Sequence, residues 1–506
     1  MLFNSLPFYV FFPLVTLGYF LLPHRLRWLW LLGASAYFYM AFIPVYILIL
    51  GATILVDYIA GLAIEKAEDK RRRQFLILSL VANLGMLVVF KYFNFFNANV
   101  AALAHWLDWN YPIPFLNLAL PIGLSFHTFQ SMAYTIEVYR GNQKAERHLG
   151  HLALYVLFYP QLVAGPIERP GHMLPQFHEE HKFEYTNFAD GLRLMAWGFF
   201  KKIVIADRLA QLVNPVYTNP GGYDGPLLAL AALAFAYQIY CDFSGYSDIA
   251  IGAARVMGFR LMTNFDRPYS ARSLSEFWQR WHISLSSWFR DYIFFPMRRA
   301  LLRRNTRLPD WLNQMLPTMI TMLLSGLWHG ANWTFVIWGG LHGLYLTLEL
   351  WTAPLRDRLA HTLRLDTAPR LRSALQTTVV FLLVAFALIF FRAASLPAAL
   401  DFIQRIPLGW NPAHLPFLFE EIRVTLGKNF PPAILFSSLT GGQILIIMIL
   451  QILFLEAVQF LQKEKPIERI LSAQTSVVRW GVYYALLANI LLFGAFEQTT
   501  FIYFQF

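Results

Sequence analysis

Residues 1–23, MLFNSLPFYVFFPLVTLGYFLLP, contain an apolar stretch long enough to cross a membrane as a helix. About 20 apolar residues suffice for one crossing. The segment lacks the cationic start and the small-residue cleavage site of a secretory signal, so we expect it to be retained as the first span. Comparable stretches follow near 28–43, 45–64, 75–97, 115–138, 190–210, 225–252, 311–328, 333–351, 374–394, 433–461 and 479–497.

The composition points in the same direction. Of 506 residues, 57% are apolar and only 14% are charged, against roughly 25% charged in soluble domains. A soluble enzyme with one membrane anchor is excluded, because the shortage of charge runs along the whole chain. No internal repeat and no flexible linker marks a second domain. The sequence therefore predicts an all-α polytopic membrane protein in which residues 1–506 form a single membrane-embedded domain.

The basic residues lie in short loops between the apolar stretches. They follow the first, third and fifth stretches, whereas the loop 98–114 contains no Lys or Arg. Because basic loops stay on the cytoplasmic side, we expect a multi-pass protein with its N-terminus outside. The formal net charge of +11 is then explained by orientation and by contact with anionic membrane lipid, and we expect no binding to nucleic acid.

One apolar segment, 149–166, does not suit a simple crossing. It is interrupted by Pro160, Gly165 and Pro166, which is typical of a re-entrant element. Glu168 follows directly, next to two prolines. We expect a turn that lines the mouth of a cavity here, in preference to a catalytic glutamate.

The segment 237–296 is rich in aromatic residues and also carries polar ones. At helical spacing, residues 276–296 form two apolar stripes and one narrow polar stripe, which indicates burial on two sides. We interpret the segment as the wall of a water-filled cavity inside the protein. Its candidate lining residues are Asp242, Asp248, Trp281 and Arg290. Since the two aspartates do not share a helical face, capping and pairing with Arg are favoured over an acid/base pair.

The sharpest local signal is SGLWHGANWTFVIWGGLHG, residues 325–343. It places His329 among glycines and tryptophans directly after an apolar stretch. An ionisable group at membrane depth is costly and indicates function, and a neutral histidine can accept a proton from a hydroxyl. The alternative is an interfacial histidine bonded to backbone. Trp328 and Asn332 are candidate lining residues beside it, whereas a packing role is favoured for His342.

His282 is the second candidate catalytic residue. It could position His329 or line the path of an acceptor. It could equally bond to Asp or Arg neighbours and hold its helix in place. The sequence leaves both alternatives open.

Several common functional motifs are absent. The chain has no G-x-S-x-G nucleophile elbow, P-loop, dinucleotide fingerprint or H-E-x-x-H pair. Its single cysteine, Cys241, excludes an internal disulfide and a cysteine-based metal cage. An H-x4-D match at His361 and Asp366 lies in an Arg-rich connection and is attributed to chance. We therefore predict no metal site and no tightly bound cofactor.

Four long blocks carry a resemblance to a known family. They are PQLVAGPIERP (160–170), YQIYCDFSGYSDIAIG (237–252), NFDRPYSARSLSEFWQRWHISLSSWFRDYIFFP (264–296) and the block 325–343. In this order they resemble the membrane-bound O-acyltransferase family, and within it the bacterial members that act on alginate and on teichoic acid. The catalytic core motifs thus occupy residues 160–343.

The resemblance implies a fold of roughly 11–13 transmembrane or re-entrant helices around a central funnel, in the bacterial inner membrane. It implies His329 as the catalytic residue at the bottom of that funnel. The acyl donor would be acetyl-CoA or an acyl carrier protein on the cytoplasmic side. An extracytoplasmic protein with a serine hydrolase-like fold would complete the transfer. One departure concerns residues 297–307, MRRALLRRNTR, where the relatives usually have a Leu-Gly-Gly-Asn turn; this departure leaves the donor open.

The function expected from these observations is O-acetylation of an extracytoplasmic polysaccharide such as alginate, with His329 as general base. A transporter, a channel or a scaffold of an export complex is the alternative from another class. Peptidoglycan, cellulose or teichoic acid are alternative acceptors.

Overall fold

A computed structural model describes residues 1–163, 165–304, 309–427, 439–463, 466–496 and 502. Over these residues the chain is helical and contains no β-strand. It divides into two compact units, residues 1–195 with 249–262 and residues 196–248 with 263–506. The single domain expected from the sequence stays a prediction, and each unit is described by itself.

The first unit is built from short and long helices of the N-terminal part of the chain. In order they are Leu6–Leu21 (α1), His24–Met40 (α2), Tyr46–Lys66 (α3), Asp69–Leu87 (α4), Phe93–Trp106 (α5), Leu124–Arg140 (α6), Leu149–Leu157 (α7), Pro170–His178 (α8) and Tyr185–Phe199 (α9). A π-helical turn, Val88–Tyr92, joins α4 to α5. The last four residues of α9 already belong to the second unit.

In the second unit, the end of α9 is followed by a π-helical segment, Phe200–Ala206. Its α-helices are Asp207–Thr218 (α10), Gly225–Val256 (α11), Leu274–Arg280 (α12), Ile283–Phe289 (α13), Phe295–Arg304 (α14), Asp310–His329 (α15), Trp333–Trp351 (α16), Ala353–Thr362 (α17), Pro369–Arg392 (α18), Leu396–Arg405 (α19), Leu415–Gly427 (α20), Gly441–Leu461 (α21), Ile467–Ser472 (α22) and Ser476–Phe493 (α23). The C-terminal end of α11, from Ile249, belongs to the first unit.

Among the described residues, six helices are long and apolar enough to cross a membrane. They are α3, the continuous helix Asp69–Trp106, α11, α18, α21 and α23. The prediction of an all-α membrane protein is therefore confirmed. The other predicted stretches are occupied by helices that are shorter or less apolar, such as α2, α15 and α16. Residues 433–438 and 497 of the predicted stretches lie outside the described residues.

One predicted boundary is changed by a turn residue, and one predicted interruption is supported. The stretch expected at 115–138 becomes helical only at Leu124, because Gly123 adopts a left-handed conformation (φ +76°) that ends the preceding extended segment. The helix α7 has nine residues and is about 13 Å long, less than half of a membrane core. It does not cross by itself, in agreement with the interrupted pattern at 149–166.

Glu168 is a structural residue of the first unit. Its side chain is fully buried and accepts a hydrogen bond from the Met262 N–H at 2.6 Å. Its other carboxylate oxygen lies 2.7 Å from His172 Nδ1 on α8. These contacts fix α8 relative to residue 262. The turn expected at a cavity mouth stays a prediction, and the carboxylate itself has no exposed surface.

Candidate active site

His329 is the last residue of α15, which packs closely against α16. Glycines make this close approach possible, because small residues let two helix backbones come together within a membrane protein. A Cβ added at Gly326 or at Gly339 would lie under 3.0 Å from a backbone carbonyl oxygen of the partner helix. The chain then leaves α15 through Gly330, whose extended backbone passes against the Phe335 ring. The glycines of this block thus fix where the imidazole is held.

Aromatic rings surround the His329 imidazole. The ring centroids of Trp328, Trp338 and Phe391 lie 4.9, 5.0 and 5.1 Å from it. His329 is only 4% exposed. Three helices, α15, α16 and α18, contribute to this enclosure.

His282 is held by a hydrogen-bond network directly before α13. Its Nδ1 lies 3.0 Å from Asn264 Oδ1, which also accepts from the Ser284 hydroxyl at 2.9 Å. Asn264 Nδ2 in turn donates to the Ser247 hydroxyl at 3.1 Å. The network assigns the ring proton to Nδ1, so Nε2 is the basic nitrogen of His282. The ring thus contacts an amide and a hydroxyl. Contacts to Asp or Arg neighbours, considered from the sequence, stay a prediction.

The backbone of His282 is strained. Its φ is +43°, a conformation that few non-glycine residues adopt and that costs on the order of 1–3 kcal/mol. Its ring contacts Phe243 at 4.6 Å and Trp328 at 6.1 Å between centroids. Because Trp328 also contacts His329, one tryptophan touches both candidate histidines. The structure thus brings His282, Trp328 and His329 into one aromatic cluster.

Asp242 and Asp248 both pair with lysines of the π-helical segment 200–206. Lys201 Nζ lies 2.7 Å from Asp248 and donates to Ser244 at 3.0 Å. Lys202 Nζ lies 2.6 Å from Asp242 and 2.8 Å from Asp207. Asp242 also accepts from the Ile502 N–H at 2.8 Å. The pairing with Arg expected for the two aspartates is wrong, because the wide π turn directs two consecutive lysines to α11.

The remaining candidate residues occupy different environments. Trp281 is buried and packs against Phe265 and Phe277, with centroids 5.1 and 5.5 Å away. Asn332 caps α16 by accepting from the Thr334 N–H at 3.0 Å. Arg290 is exposed and pairs with Asp291 at 3.1 Å. Asn332 therefore has a structural role at the start of α16, and Arg290 lies at a solvent-accessible surface.

A cavity of about 560 Å³ lies within the second unit. Its wall contains one face of α15, where Gln314, Thr318, Thr321 and Ser325 follow at helical spacing, together with polar residues of 275–290 that include Arg290. His329 lies one turn beyond Ser325 on the same face. Of the candidate residues within the described part of the chain, only Arg290 lines this cavity; His329 does not. The cavity therefore ends one turn short of the imidazole.

Two polar atoms of the cavity wall have no hydrogen-bond partner within the described part of the chain. They are the indole Nε1 of Trp278 and the hydroxyl of Thr321. Buried polar atoms are normally satisfied by protein, water or ligand. Both residues line the cavity, but these two atoms themselves are buried.

The sequence of this region matches a family of membrane enzymes. The family described as MBOAT, membrane-bound O-acyltransferase family, matches residues 136–390, half of the chain. The chain belongs to the MBOAT family. The match contains both candidate histidines, the lysine–aspartate pairs and the cavity wall. This MBOAT protein is accordingly an O-acyltransferase. It is therefore an enzyme, and the transporter alternative is rejected.

Curated relatives of this MBOAT protein are named for acyl transfer to different polymers. A "probable alginate O-acetylase" of Azotobacter vinelandii is 39% identical over 79% of this chain and 76% of its own length. A peptidoglycan O-acetyltransferase of Helicobacter pylori is 32% identical, covering 85% and 84% of the two chains. A teichoic acid D-alanyltransferase of Streptococcus thermophilus is 30% identical over 45% of this chain and 56% of its own length.

Sequence reasoning missed Lys201, Lys202 and the link between Asn264 and His282. Lys201 and Lys202 are adjacent in an apolar stretch, and buried charges in a membrane protein are expected to have partners. That signal was available. The role of Asn264 had no local signal, since it depends on Ser247 and Ser284, which are 17 and 20 residues away.

Proposed function

We propose that this protein is an O-acetyltransferase of the bacterial inner membrane, with its N-terminus outside. It takes an acetyl group from a cytoplasmic thioester and passes it across the membrane for O-acetylation of an extracytoplasmic polysaccharide such as alginate. The observation that carries the proposal is the buried imidazole of His329, one turn beyond a polar cavity wall on the same helix. The similarity to the Azotobacter vinelandii relative over most of both chains supports the choice of acetyl and alginate.

In the proposed reaction His329 acts as general base on the acceptor hydroxyl. The hydroxyl oxygen bonds to the thioester carbonyl carbon while its proton moves to the imidazole. Collapse of the tetrahedral intermediate breaks the carbon–sulfur bond, and the imidazolium returns the proton to the leaving thiolate. General base catalysis of this kind is typically worth about 10²–10⁴ in rate. His282 acts as a positioning residue, since it reaches His329 through the Trp328 ring.

The proposed donor site is the cavity along α15. Seen along the helix, its wall runs from Gln314 to Ser325, about 16 Å at 1.5 Å per residue. In the predicted topology Gln314 is nearer the cytoplasm, which suits the pantetheine arm of acetyl-CoA or of an acyl carrier protein. The donor is a substrate, and the proposal needs no tightly bound cofactor.

Trp338 is the proposed donor to the developing oxyanion. Its ring is perpendicular to the His329 imidazole, and its buried indole Nε1 has no hydrogen-bond partner in the described part of the chain. Removing one oxyanion donor typically costs about 10²–10³ in turnover. We expect Trp338→Phe, which keeps an aromatic ring and loses the N–H, to lower turnover by that amount with little change in KM.

The acceptor hydroxyl approaches from the outer side, directly or through an extracytoplasmic acyl-accepting partner with a serine hydrolase-like fold. A specific observation favours a second acceptor. The Helicobacter pylori relative, a peptidoglycan O-acetyltransferase, covers a larger share of this chain than the Azotobacter vinelandii relative does. Comparison of acetyl content in the surface polysaccharide and in the peptidoglycan of a deletion strain separates the two acceptors.

The proposal is tested with His329→Ala, using exposed His105→Ala as the matched control. We expect the first variant to insert normally and to lose acetyl transfer from a radiolabelled acetyl thioester by at least a hundredfold. The control should retain the parental rate. Normal transfer by His329→Ala would exclude the imidazole from the mechanism.

A further inference from the structure

Three potential metal ligands meet in the first unit, in the segment between α6 and the end of α8. They are Glu146, just before α7, His151 in the first turn of α7, and His178, the last residue of α8. The ligand atoms of the three side chains all lie within 4.8 Å of one another. Glu146 is buried and His178 is exposed. The cluster therefore extends from the protein interior at Glu146 to the solvent-exposed surface at His178.

Two of the three separations are close to those of ligands around one ion. His151 Nδ1 lies 3.3 Å from His178 Nε2, which lies 2.9 Å from Glu146 Oε2. Zinc binds histidine nitrogen and carboxylate oxygen at about 2.0–2.2 Å in tetrahedral geometry, which places two ligand atoms about 3.3 Å apart. Small movements of the side chains would thus complete a site of two histidines and one carboxylate.

Hydrogen bonds alone satisfy this arrangement poorly. The single Nε2 of His178 faces both a carboxylate oxygen and the ring nitrogen of His151. One N–H group cannot point straight at two acceptors, and hydrogen bonds weaken steeply away from linearity. A cation between the three atoms would accept a lone pair from each. The convergence of three lone-pair donors is therefore better explained by a metal ion.

Neighbouring groups hold the ligands in position. The backbone N–H of His148 donates to Glu146 Oε1 at 2.8 Å, and His148 Nδ1 accepts from the His151 N–H at 3.2 Å. The Trp28 ring packs against His148 and His151, with centroids 4.6 and 6.0 Å away. Outer contacts of this kind orient the ligands of metal sites and raise metal affinity.

We propose that Glu146, His151 and His178 bind a divalent transition-metal ion of the zinc type, with a fourth position open to water. The ion would join the start of α7 to the end of α8 and so fix the connection between them. The three ligands span 33 positions of the chain. Glu146 and His151 form an E-x4-H pattern, and His178 follows 27 positions after His151. Because this spacing is not a contiguous motif, the sequence by itself predicts no metal site here.

The test uses full-length protein with a tag that contains no histidine, purified in detergent and stripped with a chelator. Zinc titration followed by metal analysis should give one tightly held Zn²⁺ per chain. We expect His151→Ala and His178→Ala each to weaken binding at least tenfold. His361→Ala, which removes an exposed histidine outside the cluster, should bind like the parent.

A second measurement covers the case in which an alanine variant does not fold. Cobalt added to the stripped parent should give the visible absorption of a tetrahedral site, and zinc should remove it. His178→Gln, which retains a hydrogen-bonding group, should give neither. The proposal is overturned if the parent holds no zinc at micromolar concentration, or if the cluster variants bind it as well as His361→Ala does.

Discussion

The close crossing of α15 and α16 is tested by Gly339→Ala. A Cβ at this position would lie 3.0 Å from the Met322 carbonyl carbon and 3.2 Å from the Gly326 Cα, and closer still to the Met322 carbonyl oxygen. These atoms belong to backbone and cannot rotate away as a side chain can. To restore an ordinary contact of at least 3.4 Å, the two helices must separate by about 1 Å.

The separation changes the geometry of the candidate active site. Trp338 precedes Gly339 on α16 and contacts the His329 ring at 5.0 Å, so a shift of α16 moves the tryptophan away from the imidazole. A misplacement of about 1 Å in an active site can cost about a hundredfold in rate. We therefore expect Gly339→Ala to lose about two orders of magnitude in acetyl transfer while the protein still inserts and folds.

The adjacent glycine supplies the control. A Cβ at Gly340 would meet only Leu323 Cδ2, at 3.5 Å, which is an ordinary contact. Transfer is measured in membranes from a radiolabelled acetyl thioester, with rates normalised to the amount of inserted protein. The reasoning is refuted if Gly339→Ala transfers at the parental rate, or if Gly340→Ala is equally impaired.

The remaining predictions concern three side-chain networks. Asn264→Ala removes the acceptor that orients His282, and we expect at least a tenfold loss of transfer together with a shifted pH–rate profile. Lys202→Met leaves two buried carboxylates without their cation, and breaking such a pair costs about 3–5 kcal/mol, which should lower the thermal unfolding midpoint in detergent. The Glu168 carboxylate raises the pKa of His172 above its ordinary value of 6.5. The pair therefore stabilises the fold fully below pH 6.5 and loses this effect as the pH rises through the raised pKa, and Glu168→Gln should remove this pH dependence of the unfolding midpoint.

Each of these predictions has a conservative counterpart. Asn264→Asp keeps an oxygen acceptor and should retain more transfer than the alanine variant; equal loss would argue against the orienting role. Lys202→Arg keeps the positive charge, and an arginine variant as unstable as the methionine one would contradict the ion-pair argument. His172→Gln should remove the pH dependence of the unfolding midpoint in the same way as Glu168→Gln. If either variant kept the parental pH dependence of the unfolding midpoint, the Glu168–His172 pair would not be the source of that dependence.

The sequence predicted the location of the candidate site better than the hydrogen-bond and ion-pair partners within it. His329 lies in a contiguous block whose glycines and tryptophans act over a few residues, so its setting at a helix end among aromatic rings could be anticipated. The partners of Asp242 and Asp248 could not, because a π turn at 200–206 changes which residues face α11. Histidine spacing gave no sign of the cluster at Glu146, since α8 returns to α7 only in the folded chain.

Hydropathy, charge distribution and the histidine block determined the membrane character, the helical class and the acyltransferase family. These properties depend on residue composition and on short-range spacing, which the linear sequence contains in full. Only the tertiary structure decided which polar groups meet, as in the network around His282 or the lysines paired with α11. The physical reason is distance, because a hydrogen bond or an ion pair between residues remote in sequence forms only when the packing of several helices places its atoms within about 3 Å of each other.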